Sequence, residues 1–335
     1  MSRKLLINNL SIVVLAAAII ASPVALRSVY WTSVLIILGI NILMVSSLRT
    51  IRLLGHISLG HVGFSLIGAY GSALLVMRLG LSFWIALFLG GLMSAGIALA
   101  LAYPFLRVKG AYFALLTLLT AETFRLTAWY WPSLTGGFWG LLKIPSPNPI
   151  TIPLIGTITF DSVNSYYYLT AVIVALSLFV LYLLERSRLG FKWRVIQDSE
   201  ALAQSVGMNV MWYKALNFAI ASFFAGIAGA LFAHYQHALS PDFTARFGVL
   251  MSIYLLVYMV VGGDAKFTGP IAGTVVLTIL SELSLELGEY QPMLIGAIAI
   301  LFVLLMPEGL IGLPNRIKLC YGKLFKRTRM TRGSA

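Results

Sequence analysis

IALFLGGLMSAGIALALAY, residues 85–103, runs for nineteen positions without one charged side chain. A bilayer span needs about 20 mostly apolar residues. With no water in the hydrocarbon core, every backbone amide there must be paired, which leaves helices or closed barrels. Barrel strands alternate over about ten residues. This stretch is continuous in Leu, Ala, Ile and Gly, so it reads as a membrane helix. Working outward, the same character returns at Val13–Ile20, Val34–Met44, Ala171–Leu184 and Leu294–Met306.

Composition extends the reading to the whole chain. Apolar residues make up 59% of 335 positions and charged residues 10%; mean hydropathy is +0.92. A soluble domain carries roughly 25% charged residues, so lipid is the solvent that suits this one. The expected fold class is all-α, a polytopic helical bundle of about ten spans (eight to eleven). Candidate spans are 6–26, 30–48, 56–77, 82–104, 110–129, 166–184, 214–235, 247–263, 269–288 and 291–307. The first competes with a cleaved signal peptide. Ala21-Ser22-Pro23 is a poor cleavage site, so an uncleaved span is expected.

The net charge of +13 raises the question of nucleic acid. The basic residues answer it, because they sit in short segments between apolar runs, the positive-inside pattern. With a cytoplasmic N-terminus and ten spans, 19 of the 24 basic residues face inward. Both termini are then cytoplasmic, and 315–335 is a basic tail near anionic lipid. No nucleic-acid partner is expected. The lone Cys320 excludes an intrachain disulfide.

The rest reads as one permease domain, 1–314, with two long polar segments. The outer, periplasmic segment is 131–165, and its Pro and Gly forbid a long helix. A short hairpin within Thr151–Phe160 is expected. The inner segment, 185–213, reads as a helix from Phe191 to Val206, stopped at Gly207.

No phosphate-binding loop, H-E-x-x-H or G-x-S-x-G occurs. No enzymatic activity, cofactor or metal site is therefore expected. His234 and His237 could share a helix face, with Asp242 the nearest carboxylate. Glu122 and Arg125, three apart, can pair on one face. Ionisable groups inside spans are functional candidates because isolation in lipid is costly; the competing reading is that Arg125 snorkels to the interface. In Gly55–Phe64, Gly, Ser and His interrupt an apolar run. Close helix packing and a broken helix lining a substrate path both fit.

These interruptions carry a resemblance. Gly55–Ala69 (GHISLGHVGFSLIGA) resembles the G-x-x-S-L-G-H-x-x-F-x-x-x-G-A stretch of LivM-type permeases, the membrane subunits of branched-chain amino acid ABC importers. Tyr103–Ala114 is similar to that family's P-x-L-R-L-x-G-x-Y-F-A, Glu122/Arg125 to its E-x-x-R, and Trp131–Gly140 to its outer W-x-x-L-T-G-G-x-x-G. Arg194–Asn209 (RVIQDSEALAQSVGMN) resembles its ATPase-coupling loop. Lys214, Ala225–Ala230, Gly262-Gly263, Thr268–Pro270 and Pro307–Gly312 continue the series. Gln197 and Asp264-Ala265-Lys266 depart from the pattern.

The resemblance implies a permease subunit of an ATP-driven importer for branched-chain or similar hydrophobic amino acids, in a bacterial inner membrane. It implies as partners ABC ATPase subunits, a second LivH-type permease and a periplasmic substrate-binding protein. It assigns coupling to Arg194, Asp198, Glu200, Ala201 and Gly207, with Glu200 pairing to a basic residue of the ATPase. Candidate substrate-path residues are His56, Ser58, His61, Glu122, Arg125, Thr135, Gly136 and Gly137. Permeases of the same family for urea, amides or small aromatic acids remain an alternative, as does an ion-driven carrier.

Overall fold

The computed structural model describes residues 28–305, apart from 109, 153–155 and 243–245, together with 309–310. The expected first span, the basic tail, Cys320 and most of Pro307–Gly312 lie outside the described residues. The chain divides into two compact units after Ser252.

The first unit is a helical bundle. Its long helices are α1 (Val29–Arg52), α2 (His61–Leu79), α3 (Phe83–Phe105) and α4 (Ala111–Tyr130). The short α5 (Pro132–Thr135) and a 3-10 turn (Gly137–Trp139) follow. Next come β1 (Leu141–Leu142), β2 (Ile150–Ile152) and β3 (Gly156–Ile158). After these run α6 (Val163–Arg186), α7 (Arg188–Asp198), α8 (Glu200–Ser205), α9 (Val210–Gln236) and β4 (Ala238–Leu239). The expected hairpin is present as β2 against β3, with Thr151 opposite Thr157. β4 returns to pair with β1, Leu141 opposite Leu239.

Sequence chemistry sets the helix ends. Arg49 and Arg52 occupy the last turn of α1, where cations complement the helix dipole. Gly80 ends α2 in the left-handed conformation at φ 62°, open to glycine without a Cβ clash. The side chain of Asn209 caps α9 by accepting from the Trp212 amide at 3.1 Å.

Packing centres on α9, which lies against α1, α2 and α3. Lipid tails are as apolar as leucine, so helices in a membrane associate through close contact and buried polar bonds. Small residues supply the contact. A Cβ added to Gly68 would stand 2.3 Å from the Gly226 backbone, and one on Gly229 would stand 1.9 Å from the Ser65 carbonyl. One on Gly226 would meet Ser94 Oγ at 2.5 Å. Polar bonds supply the rest. Ser94 Oγ donates to the Phe64 carbonyl at 2.8 Å, Asn217 to the Thr50 carbonyl at 2.9 Å, and the Tyr166 hydroxyl to the Leu231 carbonyl at 2.7 Å.

The second unit holds most of α10 (Val249–Gly262), α11 (Thr268–Leu283), a 3-10 segment (Leu285–Tyr290) and α12 (Gln291–Leu305). Gly262 is pressed against Gly269, where an added Cβ would lie 2.0 Å from the carbonyl. Gln291 Nε2 donates to Ser281 at 2.8 Å and so ties the start of α12 to α11.

Among the described residues, five helices are long and apolar enough to cross a bilayer: α1, α2, α3, α6 and α9. α4 matches its expected position, yet its Thr, Glu and Arg residues keep it out of that set. α10, α11 and α12 are shorter apolar helices. Two boundaries differ from expectation. The span expected from 56 starts at His61, because residues 55–60 are non-helical and Gly55 sits at φ 79°. The span expected to reach 288 ends at Leu283, before the 3-10 segment.

Candidate functional site

The polar segment 185–213 folds into two short helices rather than the single one expected over Phe191–Val206. The break is at Ser199, which is extended (φ −160°). Its hydroxyl oxygen accepts from the Leu202 amide at 3.2 Å and so starts α8. Serine in this position satisfies an orphan helix amide better than it extends a helix. Gly207 stops α8 at φ 81°, as expected.

The pair is anchored deeply. Trp193 is fully buried with Leu53, Leu54, Ile196, Ala203 and Val210, and its indole N–H donates to the Tyr213 carbonyl at 3.1 Å. Lys214 is only 2% exposed, and its Nζ donates to Glu200 Oε1 at 2.5 Å. The Glu200 carboxylate is thus engaged by its own chain. A buried ammonium needs a local counter-charge, and Glu200 supplies it. Arg194 donates to Glu185 Oε1 at 2.8 Å, and Arg49 grips the same carboxylate with two nitrogens. Gly190 allows this approach, since an added Cβ would lie 2.0 Å from the Glu185 carbonyl.

Toward the other end, Arg125 makes a forked contact with Glu122, Nε to Oε2 at 2.9 Å and NH2 to Oε1 at 2.5 Å. Its NH1 donates to the Pro241 carbonyl at 2.8 Å. At 6% exposure Arg125 does not snorkel; it pins the chain beyond β4 to α4. Thr135 Oγ1 donates back to Ala128 and Trp131 carbonyls at 2.5 and 2.7 Å. Gly136 and Gly137 follow at φ 78° and 61°. These three residues therefore shape the turn from α4 into β1. His234 bridges Ser72 Oγ at 3.0 Å and the Pro145 carbonyl at 2.8 Å. His237 meets the Ile144 carbonyl at 2.9 Å. Both hold the segment 131–165, and among the described residues no group of three His, Cys, Asp or Glu could hold a metal.

The break before α2 shows the close packing expected of it. The backbone is irregular, and it is also tightly packed. Gly60 and Gly63 press on Thr117 and Ala121 of α4, and Thr117 Oγ1 accepts from the Leu59 amide at 3.1 Å. His61 Nε2 bonds Ser47 Oγ at 2.7 Å. His56 lies against Phe113, ring centres 4.7 Å apart. Ser58 Oγ accepts from the Gly60 amide at 3.3 Å.

The family described as branched-chain amino acid transport system / permease component matches residues 24–304, nearly the whole described chain. The chain belongs to that family. LivM, the high-affinity branched-chain amino acid transport system permease protein of Salmonella typhimurium, is 32% identical over 339 residues, covering 96% of this chain and 78% of the relative. LivM of Escherichia coli K12 is 33% identical over 297 residues, 84% and 68% of the two chains. LivH of Escherichia coli K12 is 28% identical over 144 residues, 42% and 44%. No solved structure matches. The permease is accordingly a multi-pass membrane protein.

The candidate path residues of this permease do not form one site. His56, Ser58 and His61 gather beside the first half of α4, near Phe113 and Thr117. Glu122 and Arg125 lie further along it, Arg125 about 12 Å beyond Thr117 at 1.5 Å per residue. Sequence reasoning missed Glu185 and the burial of Lys214. It also missed Asn41, which meets Arg246 at 2.5 Å. The charges of Glu185 and Lys214 were visible, but their partners are distant in sequence and follow no local spacing.

Proposed function

We propose that this chain is the LivM-like half of a bacterial inner-membrane ABC importer for branched-chain amino acids. In this reading a LivH-type permease forms the other half of the path, separate ATPase subunits supply the energy, and a periplasmic binding protein delivers substrate. Ten spans place both termini in the cytoplasm. The α7–α8 pair is the coupling element, and its surface carries the proposal. Buried contacts seat it, while Phe191, Leu202 and Val206, just past α8, remain 62–69% exposed. Apolar side chains on a short helix outside the bilayer favour a docking cleft on a partner. Asp198 and Ala201 lie on the same exposed elements. ATP-driven closure of the ATPases would move this pair and rock the helices between two access states. His56, Ser58 and His61 would border the inner end of the path, with Glu122, Arg125 and Thr135–Gly137 positioning its outer end.

Reconstitution with the partner subunits tests the scheme. Leucine with binding protein should stimulate ATP hydrolysis. Val206→Glu should reduce that stimulation at least tenfold without lowering the amount of chain in the membrane, because it buries a charge in the docking cleft. Uptake that survives ATP depletion and disappears with the ion gradient would instead establish a secondary carrier.

A further inference from the structure

α6 is the least buried of the five long apolar helices. Its Val172, Leu176, Phe179 and Leu183 are 49–61% exposed. Spacings of four, three and four put them on one helix face. The stripe rises about 16 Å along the helix, which matches half of a hydrocarbon core about 30 Å thick. Arg186 stands three residues further along the same face, so the helix places a cation where one leaflet's acyl chains give way to its headgroups. Arg188 follows across the single residue Ser187, its Cα no more than about 7 Å from that of Arg186. Both arginines are exposed, and among the described residues neither has an ion pair. The adjacent carboxylate, Glu185, is committed to Arg49 and Arg194. The Arg186 guanidinium carbon lies 4.6 Å from the centre of the Tyr182 ring. That contact engages the face of the cation and leaves its N–H edges open.

We propose that the corner between α6 and α7 holds an anionic phospholipid, its acyl chain along residues 172–183 and its phosphate between Arg186 and Arg188. From 185 to 194 the chain carries four cations and one acid. Clusters of Lys and Arg directly beyond a membrane helix attract anionic headgroups. Two of the four, Lys192 and Arg194, are held by Tyr213 and Glu185; Arg186 and Arg188 are left to meet a headgroup. Phosphate oxygens accept parallel hydrogen bonds from a guanidinium fork. A zwitterionic lipid would bring its own ammonium up to these arginines with no acid left to balance it, so the corner selects an anionic headgroup. The apolar stripe and the charge thus point to the same occupant. The proposal depends on the chain spanning a membrane and not on what it carries.

Phe179→Trp puts a fluorescent reporter on the stripe, with Leu176→Trp in its place if that variant does not insert. The full-length chain is placed in phosphatidylcholine nanodiscs that contain increasing fractions of brominated phosphatidylglycerol or brominated phosphatidylcholine, and the signal of the unsubstituted chain is subtracted. Bromine on the acyl chains quenches a tryptophan that lies against them. Both lipids should quench, and phosphatidylglycerol should bind at least about threefold more tightly, since each cation near the headgroups adds to the attraction. Arg186→Gln/Arg188→Gln in the reporter background should remove the preference, while Arg186→Lys/Arg188→Lys should retain part of it because the charge stays. Phe88→Trp, at an exposed position of α3, should quench without preference. Equal affinities at residue 179, a preference that survives the double glutamine variant, or the same preference at residue 88 would overturn the proposal; the last would assign it to the overall surface charge. Loss of quenching at residue 179 when the partner subunits are bound would also overturn it and give the stripe to a protein contact.

Discussion

Glu200→Lys is expected to abolish uptake, and the double variant Glu200→Lys/Lys214→Glu to restore much of it. The wild-type carboxylate is the counter-charge of a lysine that is 2% exposed. Removing one partner of a buried ion pair costs about 3–5 kcal/mol; replacing it with a second cation adds repulsion. The seating of α7 and α8 on the first unit should fail while the apolar spans still insert. Lys214→Met should be far milder, because it deletes the buried charge and leaves a carboxylate that is 27% exposed. Uptake in whole cells and membrane quantity by immunoblot provide the measurement. If the charge swap remains as dead as the single variant, Glu200 acts by contacting another subunit and the internal pair is incidental.

The second large effect concerns the crossing of α2, α3 and α9. Gly229→Ala would place a methyl group 1.9 Å from the backbone carbonyl of Ser65. Backbone cannot rotate aside as a long side chain can, so two helices must separate. Overpacking by single methylenes costs about 1–3 kcal/mol where side chains can adjust; here the loss should exceed that range. Monodisperse protein in detergent should fall at least tenfold. Gly96→Ala is the internal control, since nothing lies within 4 Å of its added Cβ and alanine favours a helix over glycine by about 0.5–1 kcal/mol. Equal yields from the two variants would show that this crossing tolerates separation.

The two predictions differ in how far sequence alone could reach. The positions of α1, α3, α4, α6 and α9 were legible because long, mostly apolar runs without strand alternation must pair their backbone groups within a helix in a bilayer. The start of α2 was not, since the break at residues 55–60 is stabilised by contacts with Thr117, more than fifty positions away. The division of the inner segment at Ser199 did have a local signal, a serine directly before Glu-Ala-Leu, but helical periodicity on both sides outweighed it. The Glu122–Arg125 pair was legible from its spacing of three. That Arg125 also holds the Pro241 carbonyl was not, and neither was the meeting of Arg246 with Asn41 across 205 positions. Local patterns specify elements; the partners of charged groups are set by packing.

Glu185 is joined to α1 through Arg49 and to α7 through Arg194, and only Ser187 separates α6 from α7. A force applied to the α7–α8 pair therefore finds no slack between these three helices. It would reach α1 and α6 together through a single carboxylate, as a crank passes on displacement, without the give of a flexible tether.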